Sequence, residues 1–267
     1  MSLRQLGSAL LFCLACAAVA QTPGGMANSH STSNTPKVSV SGIGTGFVVA
    51  DGYLLTALHV VRDPGSVWVG PFEGKRWSKA EVVASDSALD LALLRAKFSA
   101  PVLSLAAWAE VPVGLEVSVI GYPQPRLQGL SKKITQGIVN GNRSDRNESF
   151  DAGFFQLSAE ISKGNSGSPV LSPEGWVVGM VQKKLDALSV ASKVNDLPVN
   201  VNYALKSSEL IAFLQKAGLA PQIKALNPDF YQRPYKVFAQ TQGSIWTVAV
   251  LKGLTTTESL PLPTTPP

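Results

Sequence analysis

Cysteine and histidine are scarce in this chain of 267 residues, which contains two of each. Cys13 and Cys16 lie close together near the N-terminus, whereas His30 and His59 stand far from them and from each other. A zinc site built from Cys and His needs about four such ligands in one place, so a site of that kind is excluded. The sequence indicates no other metal and no organic cofactor.

Charge is also sparse, because Asp, Glu, Lys and Arg make up only 15% of the residues and no basic run stands out. The formal net charge of +5 is spread thinly, so nucleic acid is not indicated as a partner. Apolar residues make up 45%, enough to bury a sizeable core and to argue against disorder over most of the chain. The 23 Gly and 18 Pro predict frequent turns, as in folds of many short strands.

The first 20 residues are typical of a secretory signal peptide. Arg4 precedes an unbroken apolar stretch, and Ala18-Val19-Ala20 supplies an A-x-A cleavage site before Gln21. The apolar stretch is shorter than the roughly 20 residues that a membrane span needs, so we expect no span after cleavage. Both cysteines would leave with the signal, and the exported chain would have no disulfide. An uncleaved anchor and a lipoprotein signal through Cys16 are the alternatives.

The body of the chain carries a strand pattern. Residues 21–36 are rich in Ser, Thr, Asn, Gly and Pro and predict a flexible leader. From Lys37, short apolar runs alternate with turn residues, and Asp51-Gly52 between two such runs is a strong hairpin signal. One helix is predicted at about 208–217. The pattern favours an all-β sandwich or barrel with a late helix.

The C-terminal extension, residues 219–267, gives a weaker signal. Residues 244–251 (SIWTVAVL) are one more strand candidate, and residues 255–267 form a Thr/Pro tail that we expect to be disordered.

Three short segments contain the residue types of nucleophilic catalysis. His59 lies in residues 56–61 (TALHVV), Asp90 leads into the apolar run LALL, and Ser166 lies in the turn GNSGSP at residues 164–169. Each segment alone is weak, since a lone His, a turn Asp and a Gly-Ser turn are common. In the order His, Asp, Ser they match one of the three known chain orders of the Ser-His-acid triad.

On these segments, residues 37–218 resemble a trypsin-like serine peptidase domain of the chymotrypsin fold, in particular the bacterial HtrA/Deg-type branch. The resemblance implies an all-β fold of two six-stranded antiparallel β-barrels, at about 37–105 and about 115–205, followed by the late helix. Residues after Gly218 are too few for the PDZ domain that this branch usually appends. The supporting motifs stand in family order: GTGFVV at 44–49, TALHVV, DLALL, VIGYP at 119–123, TQGIV at 135–139, GNSGSPV and GWVVGM at 175–180.

The resemblance implies a role for each residue. Ser166 would be the nucleophile, and His59 would be the base and then the acid that protonates the leaving amine. Asp90 would fix the tautomer of His59, and the backbone N–H groups of Gly164 and Ser166 would form the oxyanion hole. Asp86 is the alternative acid, but Asp90 is preferred because it leads directly into an apolar strand.

Three residues are candidates for determining substrate specificity: Glu160, Gln182 and Lys183. Glu160 lies where the resemblance places the floor of the primary pocket; a buried acid there would favour Lys or Arg, and a solvent-facing one would not. Gln182 and Lys183 would continue the strand that pairs with substrate backbone. The lysine there would either favour acidic substrates or protect an edge strand from aggregation. Ser168 replaces the second Gly that usually follows the nucleophile and is expected to narrow the space beside Ser166.

The sequence therefore predicts an exported serine endopeptidase, periplasmic or extracellular in a bacterium. It would hydrolyse protein or peptide substrates through an acyl-enzyme intermediate, without a metal or cofactor. The alternative is an inactive peptidase-fold protein that only binds, because fold does not imply function. An esterase of the α/β-hydrolase type is excluded by its chain order, which would be Ser, acid, His. Nothing in the sequence indicates the oligomeric state.

Overall fold

The computed structural model describes residues 39–71, 77–107, 111–129, 131–141, 153–184 and 202–252. The predicted signal peptide, leader and Thr/Pro tail lie outside these residues. Strands predominate in the described part, in agreement with the many short apolar runs separated by Gly, Pro and Asp.

Barrel 1 is a closed, antiparallel barrel of six strands in the order β1-β14-β3-β4-β5-β2. The predicted hairpin at Asp51-Gly52 joins β1 to β2, and Gly52 has the positive φ of +75° that such tight turns favour. Fully buried apolar side chains such as Phe47, Leu55 and Leu93 fill the interior. The strands are β1 (Ser39–Ala50), β2 (Tyr53–Ala57), β3 (Ser66–Gly70), β4 (Ser78–Asp86), β5 (Leu91–Ala96) and β14 (Ile245–Lys252).

The sixth strand of barrel 1 comes from the C-terminal extension. β14 lies between β1 and β3, with Ser39 opposite Lys252 at one end of the first pairing and Phe47 opposite Ile245 at the other. The sequence identified a strand candidate here but placed barrel 1 within about 37–105. The difference arises because alternation of apolar residues shows that a strand has a buried face, not which distant edge it joins.

Barrel 2 follows the order β10-β7-β8-β9-β12-β11 and closes through the pairing of β10 with β11. Two short strands, β6 (Leu105–Ala106) and β13 (Ile223–Lys224), continue the sheet beyond β11 in parallel pairing. The predicted fold of two six-stranded antiparallel barrels is thus confirmed. The barrel strands are β7 (Glu116–Gly121), β8 (Lys133–Gly141), β9 (Phe154–Leu157), β10 (Pro169–Leu171), β11 (Val177–Lys184) and β12 (Asn202–Lys206).

Helices are short in the described residues, and none is long and apolar enough to cross a membrane. The late helix is α3, in which Leu210, Phe213 and Leu214 are buried, and Gly218 with φ +81° follows its end. The helices are α1 (Leu58–Val61), α2 (Pro125–Gln128), α3 (Ser207–Lys216) and α4 (Pro234–Thr241), and a 3₁₀ turn (Gln242–Ser244) leads into β14.

Candidate active site

His59 lies in α1, a single helical turn that directly follows β2. Val60 and Val61, the next two residues, are buried and anchor this turn in barrel 1. The imidazole points the other way, with 40% of the side chain exposed to solvent. The local sequence therefore fixes the backbone of the turn and leaves the ring accessible to a reacting group.

Asp90 binds His59 through both its carboxylate oxygens. Its Oδ2 lies 2.5 Å from Nδ1 of His59, and its Oδ1 accepts the backbone N–H of His59 at 2.8 Å. The carbonyl of Asp90 also accepts the N–H of Leu58 at 2.8 Å. Asp90 adopts φ +51°, which is unfavourable for a residue with a side chain. These three hydrogen bonds hold it in that conformation with its carboxylate against the imidazole.

Asp86, the alternative acid, occupies the start of the same turn but contacts the backbone. Its Oδ1 accepts the N–H groups of Ala88 and Leu89, at 2.9 and 3.0 Å. Such contacts stabilise a turn and are common for Asp. Of the two carboxylates, only that of Asp90 hydrogen-bonds to His59 in the described structure.

Arg62 is a neighbour of the acid that the sequence analysis did not single out. Its guanidinium lies 3.7 Å from Oδ1 of Asp90, and 62% of the side chain is exposed. An ion pair this open to water contributes little to stability. Arg62 stands three residues after His59, a spacing that places two side chains on the same face of a helix. This spacing is the one sequence feature that indicates that Arg62 lies near the carboxylate of Asp90.

The turn that carries Ser166 packs directly on barrel 1. The carbonyl of Ser166 accepts the N–H of Thr45 at 2.9 Å. A Cβ on Gly167 would lie 2.1 Å from the carbonyl oxygen of Thr45 and 3.0 Å from the amide of Ala57, so only glycine permits this approach. Ala57 stands two residues before His59. The junction of the barrels thus brings the serine turn to the end of β2, although no hydrogen bond joins the side chains of His59 and Ser166, a contact that is often long in the absence of substrate.

The serine turn leaves two backbone donors free. The N–H groups of Asn165, Gly167 and Ser168 donate to the carbonyls of Ser162, Val181 and Asn165, whereas those of Gly164 and Ser166 donate to no acceptor in the described part of the chain. Buried N–H groups are nearly always hydrogen-bonded. The two amides of this half-buried turn are therefore available to an acceptor from outside the turn. This pair can serve an oxyanion.

Gly164 holds one of these donors in place through its backbone conformation. Its φ is +99°, and an added Cβ would lie 2.2 Å from the carbonyl oxygen of Tyr122. Its own carbonyl accepts the hydroxyl of Thr45 at 2.7 Å. Residue 164 can therefore only be glycine in this conformation.

The side chain of Ser168 packs against Gly121. This side chain is fully buried, and its Oγ lies where a Cβ on Gly121 would come within 2.1 Å. The missing side chain of Gly121 makes the room that the hydroxyl occupies. Ser168 therefore has a packing role against Gly121, and the narrowing of the space beside Ser166 stays a prediction.

The candidate specificity residues Glu160 and Gln182 differ in their exposure to solvent. Glu160 is exposed, as in the solvent-facing alternative, and its carbonyl accepts the hydroxyl of Thr135 at 2.9 Å. Gln182 is buried, and its Nε2 donates to the carbonyl of Leu89 at 2.9 Å instead of facing solvent. The side chain of Lys183 is not among the described ones. No group of three or more His, Cys, Asp and Glu able to hold a metal ion occurs within the described ranges.

Comparisons with known proteins identify the family of the chain. A family model for the trypsin-like peptidase domain matches residues 44–180. An uncharacterized protein of Sinorhizobium fredii is 36% identical over 197 residues, which cover 73% of this chain and 30% of the relative. A probable periplasmic DegP-like serine endoprotease of Hahella chejuensis is 39% identical over 140 residues, 51% of this chain and 29% of the relative.

A solved structure has a similar fold. The crystal structure of the serine endoprotease from Yersinia pestis aligns with a TM-score of 0.54 and 26% identity, covering 68% of this chain and 62% of that chain. The chain spans about 30% of the length of the two sequence relatives. Because the matched family model covers half of the chain and includes the segments of His59, Asp90 and Ser166, the chain belongs to the trypsin-like peptidase family.

Proposed function

We propose that the protein is a serine endopeptidase that hydrolyses peptide bonds of protein substrates, with Ser166 as nucleophile, His59 as general base and Asp90 as the orienting acid. The observation that carries the proposal is the hydrogen bond of 2.5 Å between His59 Nδ1 and Asp90 Oδ2, beside a serine turn in which two amides have no acceptor among the described residues. A carboxylate can only accept, so it fixes the proton on Nδ1 and leaves Nε2 free to take one.

Acylation begins when the Oγ of Ser166 attacks the carbonyl carbon of the substrate and its proton passes to Nε2 of His59. A carbon–oxygen bond forms, and the carbonyl electron pair moves onto oxygen. The N–H groups of Gly164 and Ser166 stabilise that negative charge, while Asp90 stabilises the imidazolium. The carbon–nitrogen bond then breaks, and the leaving amine takes the proton from His59.

Deacylation repeats these steps with water. Nε2 of His59 takes a proton from a water molecule that attacks the ester carbon, and the same two amides again stabilise the oxyanion. The bond between the acyl carbon and Oγ of Ser166 then breaks, His59 returns the proton to Oγ, and the acid product leaves.

Export is part of the proposal. Its support is the signal-type sequence of residues 1–20 and the periplasmic name of the Hahella chejuensis relative. The chain spans less than a third of that relative.

Hydrolysis of labelled casein by the purified mature chain tests the proposal. We expect Ser166→Ala to lower the rate by about a thousandfold or more, because one triad member is lost. Ser168→Ala is the matched control, since it removes from the same turn a buried hydroxyl that has no hydrogen-bond partner in the part of the chain that the structure describes. Equal melting temperatures of the variants would show an intact fold. A wild-type rate no higher than that of Ser166→Ala would contradict the proposal.

A further inference from the structure

We propose that Gln182 is a positioning residue for the acid of the triad, a role that rests on the proposed peptidase function. It acts by holding the peptide group between Leu89 and Asp90, and it does so from the other barrel. Gln182 belongs to β11 in barrel 2, and Leu89 lies in the turn that leads into β5 of barrel 1.

The side-chain amide of Gln182 donates a hydrogen bond to the acid turn. Its Nε2 donates to the carbonyl of Leu89 at 2.9 Å, and the residue is only 3% exposed. A carbonyl accepts only, so the nitrogen and not the oxygen of the amide must face it. Within the described residues, the buried Oε1 has no hydrogen-bond partner. A buried unpaired amide oxygen is unfavourable, so stability alone would be served as well by an apolar side chain of the same volume.

A β-bulge directs Gln182 towards the acid turn. The pairing of β11 with β12 shifts register between Val181 and Lys183, which leaves Gln182 as the extra residue. Bulges of this kind redirect a side chain and recur beside active sites. The preceding residue, Val181, bonds the serine turn through both its amide and its carbonyl, each at 2.8 Å. One short stretch of β11 therefore contacts the turn of the nucleophile by its backbone and the turn of the acid by a side chain.

The bonded carbonyl sets the conformation of Asp90. The carbonyl of Leu89 and the amide nitrogen of Asp90 belong to one planar peptide group, so fixing that carbonyl fixes the plane from which φ of Asp90 is measured. That φ is +51°, in the region that side chains disfavour. Without the donor from Gln182, we expect the peptide to rotate and Asp90 to relax, which moves its carboxylate relative to the imidazole of His59.

A residue that only stabilised the contact between the barrels would make the same hydrogen bond. Its substitution would lower activity by loosening the whole site, and this loss of activity would persist in the Asp90→Asn variant. A residue that acts through Asp90 has no further effect once the carboxylate is lost. Non-additivity with Asp90→Asn therefore separates the two roles.

The test is the rate at which a fluorophosphonate probe labels Ser166 in the mature chain. Gln182→Met removes the donor and keeps the volume, so the melting temperature should change little. We expect labelling to slow about tenfold, because small misplacements of catalytic groups are costly. In the Asp90→Asn background, Gln182→Met should slow labelling by less than about twofold. Gln156→Met, the same change on β9 away from the acid turn, is the control and should label at the wild-type rate.

The outcomes separate the two proposals. An unlabelled wild type would overturn the peptidase function itself. If the wild type is labelled and a folded Gln182→Met variant is labelled at the same rate, only the positioning role is overturned. A tenfold loss of labelling rate that persists in the Asp90→Asn background would also overturn only that role. Gln182→Asn, whose shorter side chain cannot reach Leu89, replaces the Met variant in the same comparison if that variant does not fold.

Discussion

At the scale of single residues, two aspartates four positions apart occupy one turn and make different contacts. Asp86 accepts two backbone amides of the turn, and Asp90 accepts the ring and the backbone amide of His59. An asparagine can keep the contacts of Asp86, because its carbonyl oxygen is also an acceptor. It cannot balance an imidazolium charge, and its amide can stabilise the wrong tautomer of His59.

We therefore predict that Asp90→Asn lowers casein hydrolysis by about 10³–10⁴-fold, whereas Asp86→Asn changes it by less than about threefold. Asp86→Ala loses the acceptor of both amides and should lower the melting temperature, since unsatisfied turn amides are costly. Rates and thermal unfolding of the three variants check this. A damaging Asp86→Asn together with a mild Asp90→Asn would place the acid four residues earlier.

A side chain at residue 164 should lower the activity. In Gly164→Ala the new Cβ would meet the carbonyl of Tyr122 at 2.2 Å, so the turn must shift and carry its amide away from the oxyanion position. Loss of one oxyanion donor typically lowers kcat by about 10²–10³-fold. Gly218→Ala is the matched control, because its φ of +81° is equally strained but its Cβ meets nothing within 4 Å. We expect the control to lose stability and keep activity; full activity of Gly164→Ala would contradict the oxyanion assignment.

The site residues that the sequence predicts differ from the contact of Gln182 with Leu89, which only the structure reveals. His59, Asp90, Ser166 and Gly164 stand in short motifs, so their neighbours in the chain identify them. The contact of Gln182 joins residues 93 positions apart through a bulge in β11. No local pattern reports such a bulge, because it depends on how two strands pair.

At the scale of elements, β14 is the strand that closes barrel 1. It pairs with β1 on one side and β3 on the other, and its Ile245, Val248, Val250 and Leu251 are buried. Burial of four such side chains is worth about 1.5–3 kcal/mol each. The sum is comparable to the net stability of about 5–15 kcal/mol of a folded protein. The fold of barrel 1, and with it the turn of His59, therefore depends on the C-terminal extension.

We predict that a chain ending at Ser244 loses both its cooperative thermal transition and its casein hydrolysis, because barrel 1 is left with two open strand edges. A chain ending at Lys252 is the matched control; it lacks only the segment containing the Thr/Pro tail and should match the full mature chain in both measurements. Retention of the transition and of activity by the chain ending at Ser244 would show that β14 is dispensable.

At the scale of the whole molecule, the start of the mature chain is predicted from the sequence. We predict that protein recovered from the cell envelope or medium begins at Gln21. Its melting temperature should not respond to a reducing agent, because both cysteines lie in the removed segment. Intact mass tests this directly. A mass that includes residues 1–20, or a lipid on Cys16, would contradict a soluble exported form.

If His59 activates Ser166 as a nucleophile, Ser166 should react covalently with a serine-directed probe at a rate that depends on His59. The mature chain is incubated with a fluorophosphonate probe and the modified peptide is mapped by mass spectrometry. We predict one adduct, on Ser166, that is absent in Ser166→Ala and forms at least about a hundredfold more slowly in His59→Ala. No adduct on the folded wild type, an adduct on another residue, or an unchanged rate in His59→Ala would contradict the account.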